Sequence, residues 1–246
     1  MKANKPQLIA NGKRIDGRDF DELRKIRITA SVLDNADGSA YIEWGNNKIL
    51  AAVYGPKEVF PKHLADPTKA IVKCRYSMAP FSSLEEHGRS GPNRRAIEIS
   101  KVTKDVFENV IMLNEFPGSE IDIFIEVLQG DGGTRAAGIT AASVALANAG
   151  IHMKDLVYAV SGGKIDGNVV IDFNKIEDNY SDSDVPIAVA PRNNDILLLQ
   201  MDGDLTKEEL KKIMNMVFDA GKKISAIQRD ALKKVYTKVA EKYEGV

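Results

Sequence analysis

Glu120-Ile121-Asp122-Ile123-Phe124-Ile125-Glu126-Val127-Leu128-Gln129 places Ile121, Ile123, Ile125 and Val127 on one face, the period-2 pattern of a strand lying on a core. Asp131-Gly132-Gly133-Thr134 breaks that strand, and Arg135–Ala149 is an alanine-rich stretch suited to a buried helix. A strand, a glycine turn and a buried helix in succession predict a sheet covered by helices. Upstream, Ile99, Val102, Val106, Val110 and Leu113 recur at intervals of three and four, which predicts an amphipathic helix. Before it, Ala70–Met78 reads as a strand. Residues 82–93 are polar and carry Gly and Pro, so they read as a long loop, a feature that is often functional inside a compact domain.

Further out, Ile26-Arg27-Ile28-Thr29 and Ala40–Trp44 alternate. Gly45-Asn46-Asn47 signals a hairpin before Lys48–Tyr54, and Asn35-Ala36-Asp37-Gly38 gives another turn. The first 20 residues are polar and read as an arm over the surface. Downstream, strand pairs are expected around turns at Gly162-Gly163 and Asp166-Gly167, with further strands at Val185–Ala190 and Asp195–Met201. A final helix runs from about Thr206 to Tyr243, opened by the capping box Thr206-Lys207-Glu208-Glu209. Strands and helices do not alternate strictly, so the expected class is α+β, mixed sheets packed with helices. No linker or low-complexity tract divides the chain, which reads as one domain over residues 1–246.

Composition sets outer bounds. Hydrophobic residues are 43% and charged residues 28% of the 246, ordinary for a globular protein. A net charge of −1 supplies no global field, so binding to a polyanion requires a local basic patch. Cys74 is the single cysteine, which excludes an intrachain disulfide and a cysteine-based zinc site and fits a reducing cytosol. The opening residues lack the apolar core of a signal peptide, and the apolar runs are too short for a membrane span. The expected location is cytoplasmic.

Three stretches carry candidate chemistry. In Asp131–Gly138 the glycines let backbone approach a ligand closely, and the helix start aims free N–H groups at an anion. Thr134 adds a hydroxyl and Arg135 a guanidinium fork. On spacing alone, a plain glycine-rich connector with a capping threonine is the commoner arrangement. In Glu177-Asp178-Asn179-Tyr180-Ser181-Asp182-Ser183-Asp184, four acids within eight residues repel one another unless compensated. Asp178 and Asp184 flank a polar loop and could converge on a divalent ion, and a solvated acidic loop accounts for the same residues. In His87–Arg95, Arg89, Arg94 and Arg95 could hold successive phosphates, or pair at the surface with Glu85, Glu86 and Glu98. Together, a phosphate cradle, an acidic pair and a basic loop describe phosphoryl transfer on a polyanion.

These residues resemble a known family. Arg14-Ile15-Asp16-Gly17-Arg18 with Glu22-Leu23-Arg24 is similar to the opening motif of ribonuclease PH and polynucleotide phosphorylase domains. Gly133-Thr134-Arg135 resembles the family's phosphate-binding segment, and Asp178 and Asp184, six apart, resemble its catalytic aspartates. The resemblance spans essentially the whole chain. Gly91–Lys101 and Glu177–Tyr180 are similar to the catalytic subunit of the archaeal exosome. Val185 and Ser181 depart from a frequent methionine and glycine.

The resemblance implies the ribonuclease PH domain, a fold like ribosomal protein S5 domain 2. It implies 3′→5′ degradation of single-stranded RNA by inorganic phosphate to nucleoside diphosphates, reversible to tailing. In that reading Gly133, Thr134, Arg135 and Ala136 hold phosphate, and Arg89, Arg94 and Arg95 hold RNA. Asp178 and Asp184 bind Mg²⁺ or Mn²⁺, with Asp184 also the candidate to protonate the leaving 3′ oxygen. Implied partners are an inactive ribonuclease PH-like paralogue in a hexameric ring and caps with S1/KH-type RNA-binding domains. A stand-alone transfer-RNA trimming enzyme and a catalytically silent ring subunit are the alternatives. Retention of Arg135, Asp178 and Asp184 argues against the second.

Overall fold

The computed structural model describes residues 6–83 and 94–244. In chain order the strands and helices are β1 (Ile9–Ala10), β2 (Lys13–Arg14), β3 (Ile26–Ala30), β4 (Gly38–Trp44), β5 (Asn47–Glu58), β6 (Ile71–Met78), α1 (Arg94–Val110), β7 (Ser119–Gln129) and α2 (Thr134–Asn148). There follow β8 (Tyr158–Ile165), β9 (Asn168–Ile171), α3 (Lys175–Tyr180), β10 (Ser183–Ala190), β11 (Asp195–Leu199), β12 (Asp202–Gly203) and α4 (Lys207–Glu244). Most of the expected long loop, with His87 and Arg89, lies outside the described residues.

One sheet has the order β3-β4-β5-β7-β6, and β6 joins β7 in parallel through α1. The second has the order β11-β10-β8-β9, with β12 also paired to β10. Helix α2 packs on β4 and β5 of the first sheet and on β8 of the second. That position explains its sequence: from Thr134 to Leu146 every residue except Arg135 is buried, as a helix apolar all round requires. One continuous core runs from Ile28 and Ile42 through Ile123, Ile125 and Ile139 to Val160, Ile187 and Ile213. Ile121, Ile123, Ile125 and Val127 all point into it, as the period-2 pattern predicts. Among the described residues no helix is long and apolar enough to cross a membrane.

The structure differs from the sequence reading in several places. Gly162-Gly163 is not a turn but the middle of β8, and only Asp166-Gly167 turns the chain. Its glycines serve close approach: a Cβ on Gly163 would meet the Ser183 carbonyl oxygen at 2.1 Å, and one on Gly162 would meet Ile213 at 2.5 Å. Helix α1 ends at Val110, with Leu113 opening a separate 3-10 turn, and its inner face carries Thr103 and Phe107 while Val102 is only half-buried. The N-terminal arm does more than cross the surface, since Leu8 and Arg14 are buried. The capping box before α4 forms as expected, Glu209 N donating to Thr206 Oγ1 and Thr206 N to Glu209 Oε2.

Candidate active site

The glycine turn between β7 and α2 is left-handed at both Gly132 (φ 71°) and Gly133 (φ 66°), a conformation that only glycine enters without steric cost. Gly133 is the N-cap of α2, which makes Thr134 the first helical residue and not the cap. The turn's carbonyls are held from behind. Arg24 Nη1 donates to the Asp131 carbonyl and Nη2 to that of Gly132 at 3.2 Å, while Asn47 Nδ2 reaches Gly132 O at 2.7 Å. With the carbonyls so engaged, the first N–H groups of α2, which have no intrahelical acceptor, are left for an anion.

Thr134 Oγ1 accepts the Tyr76 hydroxyl at 2.8 Å and so keeps its own proton to donate. Arg135 leaves the buried helix towards Glu98 of α1, with Nη2 3.3 Å from Oε1. Its Nη1 donates to Gln200 Oε1, and Gln200 Nε2 donates to the same Glu98 oxygen at 3.0 Å. The guanidinium is thereby oriented before any ligand arrives. Tyr76 and Gln200 carry no local signal in the sequence, and Glu98, read there as a surface partner of the nearby arginines, pairs with Arg135; the packing of β6, α1 and the end of β11 brings all three to the site.

The acidic stretch is not the loop that its composition suggests. Asn174 opens α3 with a capping box, placing Glu177 and Asp178 on a helical turn, and Asp184 lies inside β10. Repulsion is relieved by sending the acids to different places. Glu177 turns inward, fully buried, and accepts Arg14 Nε at 2.8 Å. Asp182 accepts the Gly167 N–H at 3.4 Å. Asp178 and Asp184 are left together facing a narrow pocket, lined also by Arg95, Gly133, Thr134, Arg135, Ala136, Ser161 and Pro186.

Burial pushes the Asp184 carboxyl up to about 6, helped by the neighbouring Asp178 charge and opposed by Arg135 and Arg95. Asp178 is also raised, again by burial, with Arg95, Arg24 and Arg135 pulling the other way. Two carboxyls pushed up in a pocket with two arginines are a mark of a functional centre. Thus Asp178, Asp184, Gly133, Thr134, Arg135, Ala136 and Arg95 converge on one cavity. Arg94 is exposed at the start of α1 and does not line it.

Among the described residues no group of three or more His, Cys, Asp or Glu gathers around a metal position. The donor set is the Asp178–Asp184 pair, and the buried Asp184 Oδ1 has no hydrogen-bond partner. Two carboxylates with open lone pairs suit a hard cation that keeps several waters and shares substrate phosphates, as Mg²⁺ does.

A mixed-sheet α+β fold thus brings a glycine turn at a helix start and a pair of acids into one pocket. Residues 22–152 match the 3′ exoribonuclease family, domain 1, and residues 155–220 match domain 2 of the same family. The chain belongs to this family, that of ribonuclease PH, and is a 3′ exoribonuclease. It is 57% identical over 235 residues to the exosome complex component Rrp41 of Thermococcus kodakarensis, covering 96% of this chain and 94% of that one. It is 56% identical over 237 residues to the Rrp41 of Thermoplasma acidophilum, covering 96% and 95%. Among solved structures, rice (Oryza sativa) Rrp46 superposes with a TM-score of 0.80 at 27% identity, over 89% of this chain and 100% of that one. An Archaeoglobus fulgidus exosome with RNA bound to the active site shares the fold, with a TM-score of 0.77 at 22% identity over 87% and 92%.

Proposed function

We propose that this chain is the catalytic subunit of an archaeal exosome and degrades single-stranded RNA from its 3′ end with inorganic phosphate, releasing nucleoside diphosphates. The observation that carries this is the single pocket in which the glycine cradle, Arg135 and the Asp178–Asp184 pair meet. The helix N-terminus, the Thr134 hydroxyl and the Arg135 fork together suit an anionic attacking group such as inorganic phosphate.

The α2 N–H groups, the Thr134 hydroxyl and the Arg135 fork bind phosphate and turn one oxygen towards the terminal phosphodiester. That oxygen bonds to phosphorus as the bond to the preceding nucleotide's 3′ oxygen breaks. Asp184, whose carboxyl burial raises, is the candidate to pass a proton to the leaving 3′ oxygen. Arg95, which lines the pocket, balances the pair, and we assign RNA phosphates to Arg94 and, on the family resemblance alone, to Arg89, which lies outside the described residues. Asp178 and Asp184 would hold Mg²⁺ or Mn²⁺, which when bound supplies charge neutralisation at the transferring phosphoryl group. One phosphoric linkage replaces another, so the reaction reverses to RNA tailing when nucleoside diphosphates accumulate.

The likeness to the exosome component Rrp41 supports membership of an exosome complex; our reading adds a cytoplasmic hexameric ring in which this chain alternates with an inactive ribonuclease PH-like paralogue, capped by S1/KH-type RNA-binding proteins. The test is degradation of a single-stranded RNA with and without inorganic phosphate, by the purified chain alone and with its ring partner. Nucleoside diphosphates should form only with phosphate. Nucleoside monophosphates at equal rate in phosphate-free buffer would refute phosphorolysis.

A further inference from the structure

Ser161, in the middle of β8, is buried, and its Oγ has no hydrogen-bond partner among the described residues. Its backbone carbonyl accepts Asp172 N at 2.7 Å, while the side-chain hydroxyl stays open. Buried hydroxyls are normally bonded, and one left open inside a pocket points to a ligand.

The β8–β10 ladder fixes where that hydroxyl faces. Ser161 stands opposite Pro186, and Gly163, two residues on, stands opposite Asp184. Opposed residues of an antiparallel pair share a face, as do alternate residues along a strand. Ser161 and Asp184 therefore project from the same side of the sheet, and both line the pocket. From the other wall, a Cβ built on Gly133 would lie 3.3 Å from Ser161 Oγ. Only the missing side chain of Gly133 separates the hydroxyl from the cradle.

We propose that Ser161 is a further ligand of the attacking phosphate, donating its O–H to a phosphate oxygen opposite the α2 N-terminus. The assignment rests on the phosphorolytic reading above. The hydroxyl is already stripped of water and faces oxygens that carry charge, so the bond needs little reorganisation on binding. It would close the cradle on the second sheet, giving phosphate contacts from both halves of the chain.

The test is Ser161→Ala in the same RNA-degrading preparation as the wild type. The phosphate KM should rise about ten- to a hundredfold, the size of a lost hydrogen bond to a charged group, with kcat at saturating phosphate and RNA affinity nearly unchanged. Without phosphate the variant should melt no lower than wild type, because it loses an unsatisfied buried group. The rise in melting temperature on adding inorganic phosphate should shrink. A variant with unchanged phosphate KM and an unchanged phosphate-induced rise overturns the assignment, as does one that is merely less stable. If wild type itself ignores phosphate, the phosphorolytic reading falls and takes this ligand with it. If wild type depends on phosphate and Ser161→Ala does not differ, only Ser161 is wrong.

Discussion

Arg24 and Asp172 form a buried ion pair, Arg24 Nε and Nη2 donating to Asp172 Oδ1 at 3.1 and 2.7 Å and Arg24 N to Oδ2 at 2.6 Å. The same guanidinium holds the carbonyls of Asp131 and Gly132. One side chain from the opening motif thus ties the glycine turn before α2 to the chain leaving β9. Burial alone would raise the Asp172 carboxyl. The Arg24 charge, its hydrogen bonds and that of Trp44 Nε1 outweigh burial and hold it below the usual range.

Arg24→Ala should therefore destabilise the protein by about 3–5 kcal/mol, because it strands a buried carboxylate. Urea denaturation measures this. Asp172 titrates below its unfolded value, so its contribution is present above that value and lost as pH falls through the folded one. The gap between wild type and variant should narrow below about pH 4. Arg24→Lys keeps the charge but not the fork, and should raise the phosphate KM more than it weakens RNA binding.

Asp178→Asn and Asp184→Asn should each lower turnover by about 10²–10⁴ while RNA affinity holds, since the proposed site gives the RNA backbone to the arginines and not to the acids. Single-turnover degradation beside an equilibrium RNA titration separates the two effects. Near-normal turnover in both variants would reduce the pair to a structural role.

Asp184 makes a second prediction through its pH dependence. Its folded pKa of about 6 exceeds the unfolded value, so the ionised form costs stability, a cost that appears as pH rises from about 4 to 6. In metal-free buffer at pH 7.5, Asp184→Asn should be more stable than wild type by about 1–3 kcal/mol, and the two should converge at pH 4. Thermal melts across pH check both the size and the sign. Mg²⁺ should raise the melting temperature of wild type and leave the variant unmoved.

Arg94 and Arg95 should behave differently, although the sequence groups them. Adjacent helical positions do not share a face, and only Arg95 lines the pocket. Arg94→Ala should flatten the salt dependence of RNA binding by about 0.7 in log–log slope and leave turnover at saturating RNA intact. Arg95→Ala should lower turnover as well. Filter-binding titrations over a salt series, with rates at saturating RNA, test the pair.

What the sequence made legible was whatever is local. The β7 alternation, the Thr206 cap and the glycine turn declare themselves within a few residues, while the two aspartates stand out only through the family resemblance. The misreadings came where partners are distant. Gly162-Gly163 has the composition of a turn, and only the approach of Ser183 and Ile213 makes it a strand. Glu177 looks like its acidic neighbours until Arg14, far away in the chain, claims it. Ser161 carries no pattern at all; its meaning is the ladder register beside Asp184 and the empty space on Gly133.

The pairing of β10 with β8 also sets a timetable. The cradle at Gly133–Ala136 leaves the ribosome well before Asp178 and Asp184, and the acids face it only once Ser183–Val189 has zipped onto Tyr158–Lys164. A nascent chain that has folded only its first sheet around α2 has the glycine turn but neither acid facing it. The pocket is complete only once the last sheet has formed, so its assembly is coupled to the folding of the whole chain.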